Sequence, residues 1–416
     1  MRTYRELFAT PEFPALFATV SAQVAAGTVS GIALATLVYG ATGSALLSAL
    51  SLFGSSFAQV IGATTLLSLA DRIPPRAALS GLAAFTALTT AAMAAPGLPV
   101  GAVLGLVLLQ GLAASVGGGV RFGLLAEILP AGGYLLGRSL LNMSVGLMQI
   151  AGFAAGGALL AAFAPGAVLL GGAALSLLGA LVARFGLTRR APRATGRASV
   201  RATWEGNRTL LSSPARRAVY LGLWVPNGLI VGCEALFVPF SGRAAGALFV
   251  AGALGMLAGD VLAGRFLPAR WRRPLTTPVQ LLLAAPYLAF AAVPPLPAAL
   301  VLVAVASVGY CQSLLLQDRL VELVPDELRG HSLGLHAAGM YTMQAVGATL
   351  AGTVAQVMAP GRAMGVMAAA SILVTALLAP AMRRGRGPVR LAPAQLGDDA
   401  GGGRGGYAEA GAGVQH

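Results

Sequence analysis

Glu234 is the single charged residue in the stretch 218–241, and Asn227 stands seven positions before it, on about the same face of a helix. At 1.5 Å per residue the carboxylate lies about 24 Å from the inner end of that stretch, where ionisation inside a bilayer is costly. A group so placed faces a wet cavity and carries a proton or attracts a cation, or else it joins a structural pair in the outer half of the span. Gln149 and Gln344 occupy equivalent positions in two related stretches and could face each other, to hold a substrate or to join helices. Arg121 ends the charge-free block 77–120. His336 has a ring that titrates near neutral pH or packs as a core residue. Asp260, just before Arg265, reads as a snorkelling or paired acid, and Arg319 can reach Glu322 at the i, i+3 spacing beside Asp318.

Several chemistries are excluded by the same residues. The chain has no Lys, so it is no P-loop ATPase and supports no Schiff base. Gly330-His331-Ser332-Leu333-Gly334 matches the nucleophile-elbow spacing, but that elbow needs a preceding strand and here a loop enters an apolar helix. Cys233 and Cys311 both fall in apolar stretches and read as small core residues, with no disulfide or metal site. No enzymatic activity, cofactor or metal is expected.

The elements that must carry these groups are membrane helices. Of 416 residues, 56% are hydrophobic and 10% charged, with a mean hydropathy of +0.78, outside the range of soluble domains. Charges are absent from 13–70, 77–120, 139–183 and 274–317, and each block is about twice the ~20 residues that one span needs. Each is expected to be a helical hairpin broken at 40–43, 96–99, 164–166 or 294–297, where turn-forming residues gather. Single spans near 218–241, 244–266, 332–358 and 362–382, with 298–324 as the second arm of the last hairpin, bring the expected total to twelve. With both termini cytoplasmic, only Arg243 and Arg362 of the 28 Arg fall in outer loops, a strong positive-inside pattern. That asymmetry accounts for the net charge of +14 without a nucleic-acid partner. The N-terminal segment leads into a span too long for a signal-peptide core, so no cleavage is expected.

Glu127, Pro130, Met148, Gln149, Gly152, Gly157, Pro165 and Gly166 recur 195 residues later as Glu322, Pro325, Met343, Gln344, Gly347, Gly352, Pro360 and Gly361. The chain therefore reads as two copies of one half, running in the same sense through the membrane. The expected organisation is a six-helix bundle over 1–187, a basic cytoplasmic linker over 188–217, a second six-helix bundle over 218–382 and a disordered tail over 383–416. The linker carries eight Arg against one acid, Glu205, and Trp204, Leu210 and Leu211 could lay part of it on the bilayer surface. Pairs such as Gly27 and Gly31, Gly119 and Gly123, Gly152 and Gly156, and Gly255 and Gly259 suit close helix packing.

At the inner end of the second span the sequence reads Leu69-Ala70-Asp71-Arg72-Ile73-Pro74-Pro75-Arg76, and the second half has Arg265 and Arg270 at the equivalent place. Here the chain resembles the major facilitator superfamily, whose signature in this loop places a Gly before Leu-Ala-Asp-Arg and then Gly and basic residues. Asp71, Arg72 and Arg76 match, while Leu67 and Pro74 replace the two glycines. Gly152-Phe153-Ala154-Ala155-Gly156-Gly157 resembles the fifth-span signature of that family's antiporters, with Phe153 in place of its Pro. Gln110 and Gly111 match the fourth-span signature, but its preceding Arg is missing, and Arg121 nearer the cytoplasmic end serves differently or is structural.

The resemblance implies an all-α polytopic protein of twelve transmembrane helices in two pseudo-symmetric six-helix bundles, working by alternating access. It implies a secondary transporter in the cell membrane, read as a proton-coupled exporter of small amphipathic molecules. An importer of the same fold, or a receptor or membrane subunit without flux of its own, is the alternative. A small-molecule substrate, protons and the lipid bilayer are the expected partners of a monomer. Glu234, Asn227, Gln149, Gln344 and Arg121 are the coupling and substrate candidates. Asp71, Arg72, Arg76, Glu127, Arg265, Arg270 and Glu322 are the candidates for a cytoplasmic gate, in which Arg76 with Glu127, and Arg265 or Arg270 with Glu322, latch the halves or simply fix topology as surface ion pairs.

Overall fold

The structure is a computed structural model that describes residues 4–65, 73–129, 133–192, 200–325 and 328–384. Among the described residues every regular element is helical. The short α1 (Tyr4–Phe8) leads into α2 (Phe13–Thr42), α3 (Ala45–Thr65), α4 (Pro75–Met93), α5 (Val100–Ile128), α6 (Tyr134–Ala162) and α7 (Pro165–Gly186). A linker helix, α8 (Val200–Ser212), precedes α9 (Pro214–Ala235), α10 (Phe237–Ser241), α11 (Ala245–Val261), α12 (Ala269–Ala284), α13 (Leu296–Val308), α14 (Gln312–Leu323), α15 (Arg329–Val354) and α16 (Pro360–Arg384). Nine described stretches are long and apolar enough to cross a membrane, one of them the 53-residue run 214–266 that α9, α10 and α11 share. The expectation of twelve counts two crossings in that run and adds α4 and α15.

Proline and glycine set the boundaries. Pro75, Pro165, Pro214 and Pro360 each open a helix, where the missing N–H has no intrahelical partner to lose. Gly43, at φ 65, closes α2 by donating its N–H to the Tyr39 carbonyl. Each expected hairpin break meets a helix junction: 96–99 lies wholly between helices, while 40–43, 164–166 and 294–297 overlap the adjoining helix ends. Pro226 lies inside α9, and the N–H it lacks would have bonded the Gly222 carbonyl. That oxygen instead accepts from the Gln280 side-chain amide at 2.9 Å.

Polar contacts mark two ends of the bundle. At one, which we call the linker face, Thr188 bonds Glu12, Arg216 bonds the Leu323 carbonyl, and His331 bonds Asn207 of the linker helix. At the far face Gln356 meets Ser44. Leu210 of the linker helix is fully buried against Val219, Tyr220 and Leu320, whereas Trp204 is 72% exposed. Only the Trp204 side of this helix is therefore free to lie on a bilayer.

The apolar core follows the same axis. Toward the far face one cluster joins both halves, with Ile32, Val38 and Leu169 packed together with Leu236, Phe237 and Phe249. Toward the linker face the core splits into one cluster of Phe13, Leu16, Val120 and Leu124 and another of Val219, Tyr220, Leu316 and Leu320. Glycine makes the joint possible. A Cβ on Gly157 of α6 would lie 2.8 Å from the Gly246 backbone of α11, and one on Gly352 of α15 would lie 2.7 Å from the Leu46 backbone of α3. By contrast, open space surrounds Gly27. Gly352→Ala is therefore expected to lower the melting temperature of the purified protein by several degrees and Gly27→Ala to leave it nearly unchanged. Equal melts for the two would contradict the close-approach role.

Candidate functional site

Glu234 is partly buried one residue before the end of α9 and accepts a 2.8 Å hydrogen bond from the Tyr310 hydroxyl. Tyr310 sits in a 3-10 turn, Gly309–Cys311, between α13 and α14, where Gly309 lets the chain approach the Leu283 backbone. Tyr287 and Cys233 lie near enough to feel the Glu234 charge, and the buried Tyr287 hydroxyl has no hydrogen-bond partner. All three neighbours come from the second half, so the carboxylate faces that half's interior. The adjacent Ala235 packs across the interface on Ala49 of the first half, beside Ala348 of its own half.

Asn227 is 3% exposed and its Oδ1 has no donor. A turn away, the Gln280 amide that satisfies Gly222 also reaches Gln312 Oε1 at 3.3 Å, leaving Gln280 Oε1 and Gln312 Nε2 without partners. These amides escape a reading based on charge, yet Pro226 is their signal: a proline in a membrane helix frees a carbonyl that a neighbouring span must satisfy. Gln149 and Gln344 are not hydrogen-bonded to each other. The α6 helix that carries Gln149 packs on α2 and α11, and the α15 helix that carries Gln344 packs on α3 and α9. His336 is buried with Nδ1 unpartnered, and its backbone carbonyl accepts from Trp224. Cys233 and Cys311 are buried free thiols.

The charged residues of the linker face pair differently from expectation. Asp71 and Arg72 lie outside the described residues. Glu127 meets Arg190 at 3.5 Å rather than Arg76, because the chain beyond α7 folds back across the bundle end. Arg190 also grips Glu12 through two bonds of 2.6 and 2.8 Å, and Glu12 has a left-handed backbone at φ 69. Glu322 pairs with Arg273 at 2.7 Å, and Asp318 with Arg272 at 2.5 Å. Arg273 lies one turn into α12, facing α14, whereas Arg265 in a π turn and Arg270 at the helix start are exposed elsewhere. Each of these pairs stays within its own half. Arg121 of α5 and Arg138 of α6 both lie over the Phe122 ring, with 4.5 and 5.1 Å from guanidinium carbon to centroid. Arg121 Nε is buried without an acceptor.

No known family profile matches the chain, and no curated protein matches it in sequence. Solved structures do. A bacterial homologue of the human lysosomal transporter Spinster, inward-facing and unoccupied, superposes with a TM-score of 0.70 at 15% identity, over 92% of this chain and 98% of that one. A POT family transporter in complex with 5-aminolevulinic acid gives 0.70 at 11% identity, over 88% and 95%. A variant of the nucleoside transporter NupG gives 0.66 at 13% identity, over 89% and 99%. The chain has the major facilitator fold. Coverage of nearly the whole of each neighbour means that the likeness extends across both halves. Toward the far face this structure has one core shared by both halves, and toward the linker face the core divides.

Burial pushes the Glu12 carboxyl up, but the bonds from Arg190 and Thr188 outweigh it and hold the group below its ordinary value. Arg190, bonded to Glu12, is held above its own. A depressed carboxylate contributes stability above its unfolded pKa, about 4.3 for Glu, and loses it as the pH falls through the lower folded value. Glu12→Gln is thus expected to lower the melting temperature by a few degrees at pH 7 and to match the parent in strong acid. A deficit that persists unchanged in acid would contradict the pairing.

Proposed function

We propose that the chain is a secondary active transporter that works by alternating access, exporting small amphipathic molecules from the cytoplasm in exchange for protons. The observation that carries this reading is Glu234, a carboxylate deep in an apolar span, bonded by Tyr310 and adjacent to the residue that packs across the interface. A carboxylate there can load and release a proton beside the joint between the halves, so its charge state biases how they sit. A membrane potential supplies about 2.3 kcal/mol per charge per 100 mV, enough to drive a solute uphill when one proton is coupled. The partial antiporter signature at 152–157 supports export; within it Phe153 and Gly157 meet α11 across the interface, while Gly152 and Gly156 pack on α2.

Twelve crossings complete the reading, with 1–187 and 218–382 as the two bundles and the linker face on the cytoplasmic side of the cell membrane. The Arg excess of residues 188–217 supports that orientation. The ion pairs of Arg190, Arg272 and Arg273 brace each half separately, leaving the gap between halves free to open and close. In proteoliposomes holding this protein alone, a panel of amphipathic compounds is expected to yield at least one that moves when a pH gradient is imposed. Glu234→Gln should cut that movement at least about tenfold, with Tyr310→Phe intermediate, while both variants stay folded. Movement at the parental rate in Glu234→Gln would remove this carboxylate from coupling, and no gradient-driven movement of any compound would overturn the exporter reading.

A further inference from the structure

Arg121 and Arg138 are two cations sharing one phenyl ring, and they are close enough to repel each other. Neither forms an ion pair with a carboxylate among the described residues. The acids Glu12 and Glu127, at the same end of this half, are both held by Arg190. Stacking on Phe122 favours both cations, but it leaves the buried Nε of Arg121 without an acceptor. A guanidinium fork presents parallel N–H donors that match the oxygens of a carboxylate or phosphate, which a lone aromatic ring cannot do.

The surroundings indicate what reaches this corner. Tyr341, on α15 of the other half, lies near enough to act on Arg121 electrostatically and is 42% exposed. On the same helix Gly352 is pressed against Leu46 of α3. Eleven residues separate them, about 16 Å of helix, so Tyr341 lies nearer the linker face than that joint, toward the level where the core divides into one cluster per half. Arg138 is exposed and Arg121 partly so, on the opposite wall. This corner thus sets two cations of one half near a phenol of the other.

We propose that Arg121, Arg138 and Tyr341 form an anion subsite that takes the carboxylate or phosphate group of an amphipathic substrate entering from the linker face. Two guanidinium groups hold the anion from one half, and the Tyr341 hydroxyl donates to it from the other. Because the donors belong to different halves, a bound anion draws the parted ends together, while Phe122 supports the first apolar atoms of the substrate. This assigns a substrate class to the transport reading above and rests on it, with the anion site separate from the carboxylate of Glu234.

The test is equilibrium binding of radiolabelled decyl phosphate, and of decyltrimethylammonium as a matched cation, to the full-length protein in nanodiscs of zwitterionic lipid, with protein-free discs as the blank and no ion gradient. Saturable binding of decyl phosphate is expected, weakened at least about tenfold by Arg121→Gln and by Arg138→Gln and less by Tyr341→Phe, with the cation bound weakly or not at all. The exposed Arg138 keeps the test open should Arg121→Gln fail to fold. Competition by inorganic phosphate points to a free anion, and loss of binding in discs containing phosphatidylglycerol points to a lipid headgroup; either outcome supports the anion subsite. Absence of saturable binding, equal binding in the Arg138→Gln variant, or preference for the cation would overturn it. Transport of a cation or neutral compound without decyl phosphate binding would sink the anion subsite alone, and binding without any gradient-driven flux would sink the transport reading alone.

Discussion

Close approach of backbones at the far face governs this molecule. Where Gly157 meets Gly246 and Gly352 meets Leu46, the two halves touch main chain to main chain, and any side chain larger than hydrogen would hold them apart. In lipid there is no apolar gain from hiding one hydrocarbon surface on another, so helices associate through such close packing and through polar contacts. The stacked pair Phe153 and Phe249, 4.7 Å apart, and the Ala49, Ala235 and Ala348 cluster extend the contact. Below them the core divides, and each half keeps its own cluster and ion pairs. A joint that is tight at one end, with separate cores at the other, is the geometry that the proposed rocking requires.

Polar groups inside the bundle follow from the same economy. A backbone carbonyl freed inside a span needs a partner within the protein, because the bilayer offers none. The Pro226 kink releases the Gly222 carbonyl, and Gln280, Gln312 and Ser371 gather around the break. Glu234 and Tyr310 stand two turns further along α9, so the second half concentrates the polar chemistry on an irregular set of helices. The first half is more regular, and its internal polar features include Gln110 on Thr89 and Thr90, Ser21 on Ser144, Gln23 on the Ser176 carbonyl, and the Arg121 and Arg138 corner. A symmetric frame thus carries different chemistry on its two sides.

Much of the frame was legible in the residues. The charge-free blocks and their Gly and Pro breaks located the helices, because bilayer thickness leaves few alternatives for apolar runs of that length. Glu234 was legible for the same reason, as the lone charge in its span. Its partner Tyr310 was not, since a tyrosine in a membrane helix is unremarkable until a 3-10 turn aims it. Arg190 was missed because its reach depends on how the chain leaves α7, and nearness in sequence favoured Arg76. The choice of Arg273 over Arg265 or Arg270 depended on where α12 begins, a boundary of a few residues that decides which guanidinium faces α14. Leu210 read as a bilayer-facing residue but docks into the second half, since its apolar neighbours in sequence say nothing about which apolar surface it meets.

The central claim is that two halves rock about a joint near the far face under control of a carboxylate. The most direct test is double electron–electron resonance on a cysteine-free background, with one spin-label pair at Phe185 and Trp271 on the linker face and another at Phe163 and Val357 on the far face. The four sites are exposed, and each pair spans the two halves. Changing the pH, or introducing Glu234→Gln, should shift the populations so that one distance shortens as the other lengthens. Two distances that stay fixed under both changes, or that move in the same sense, would contradict the account.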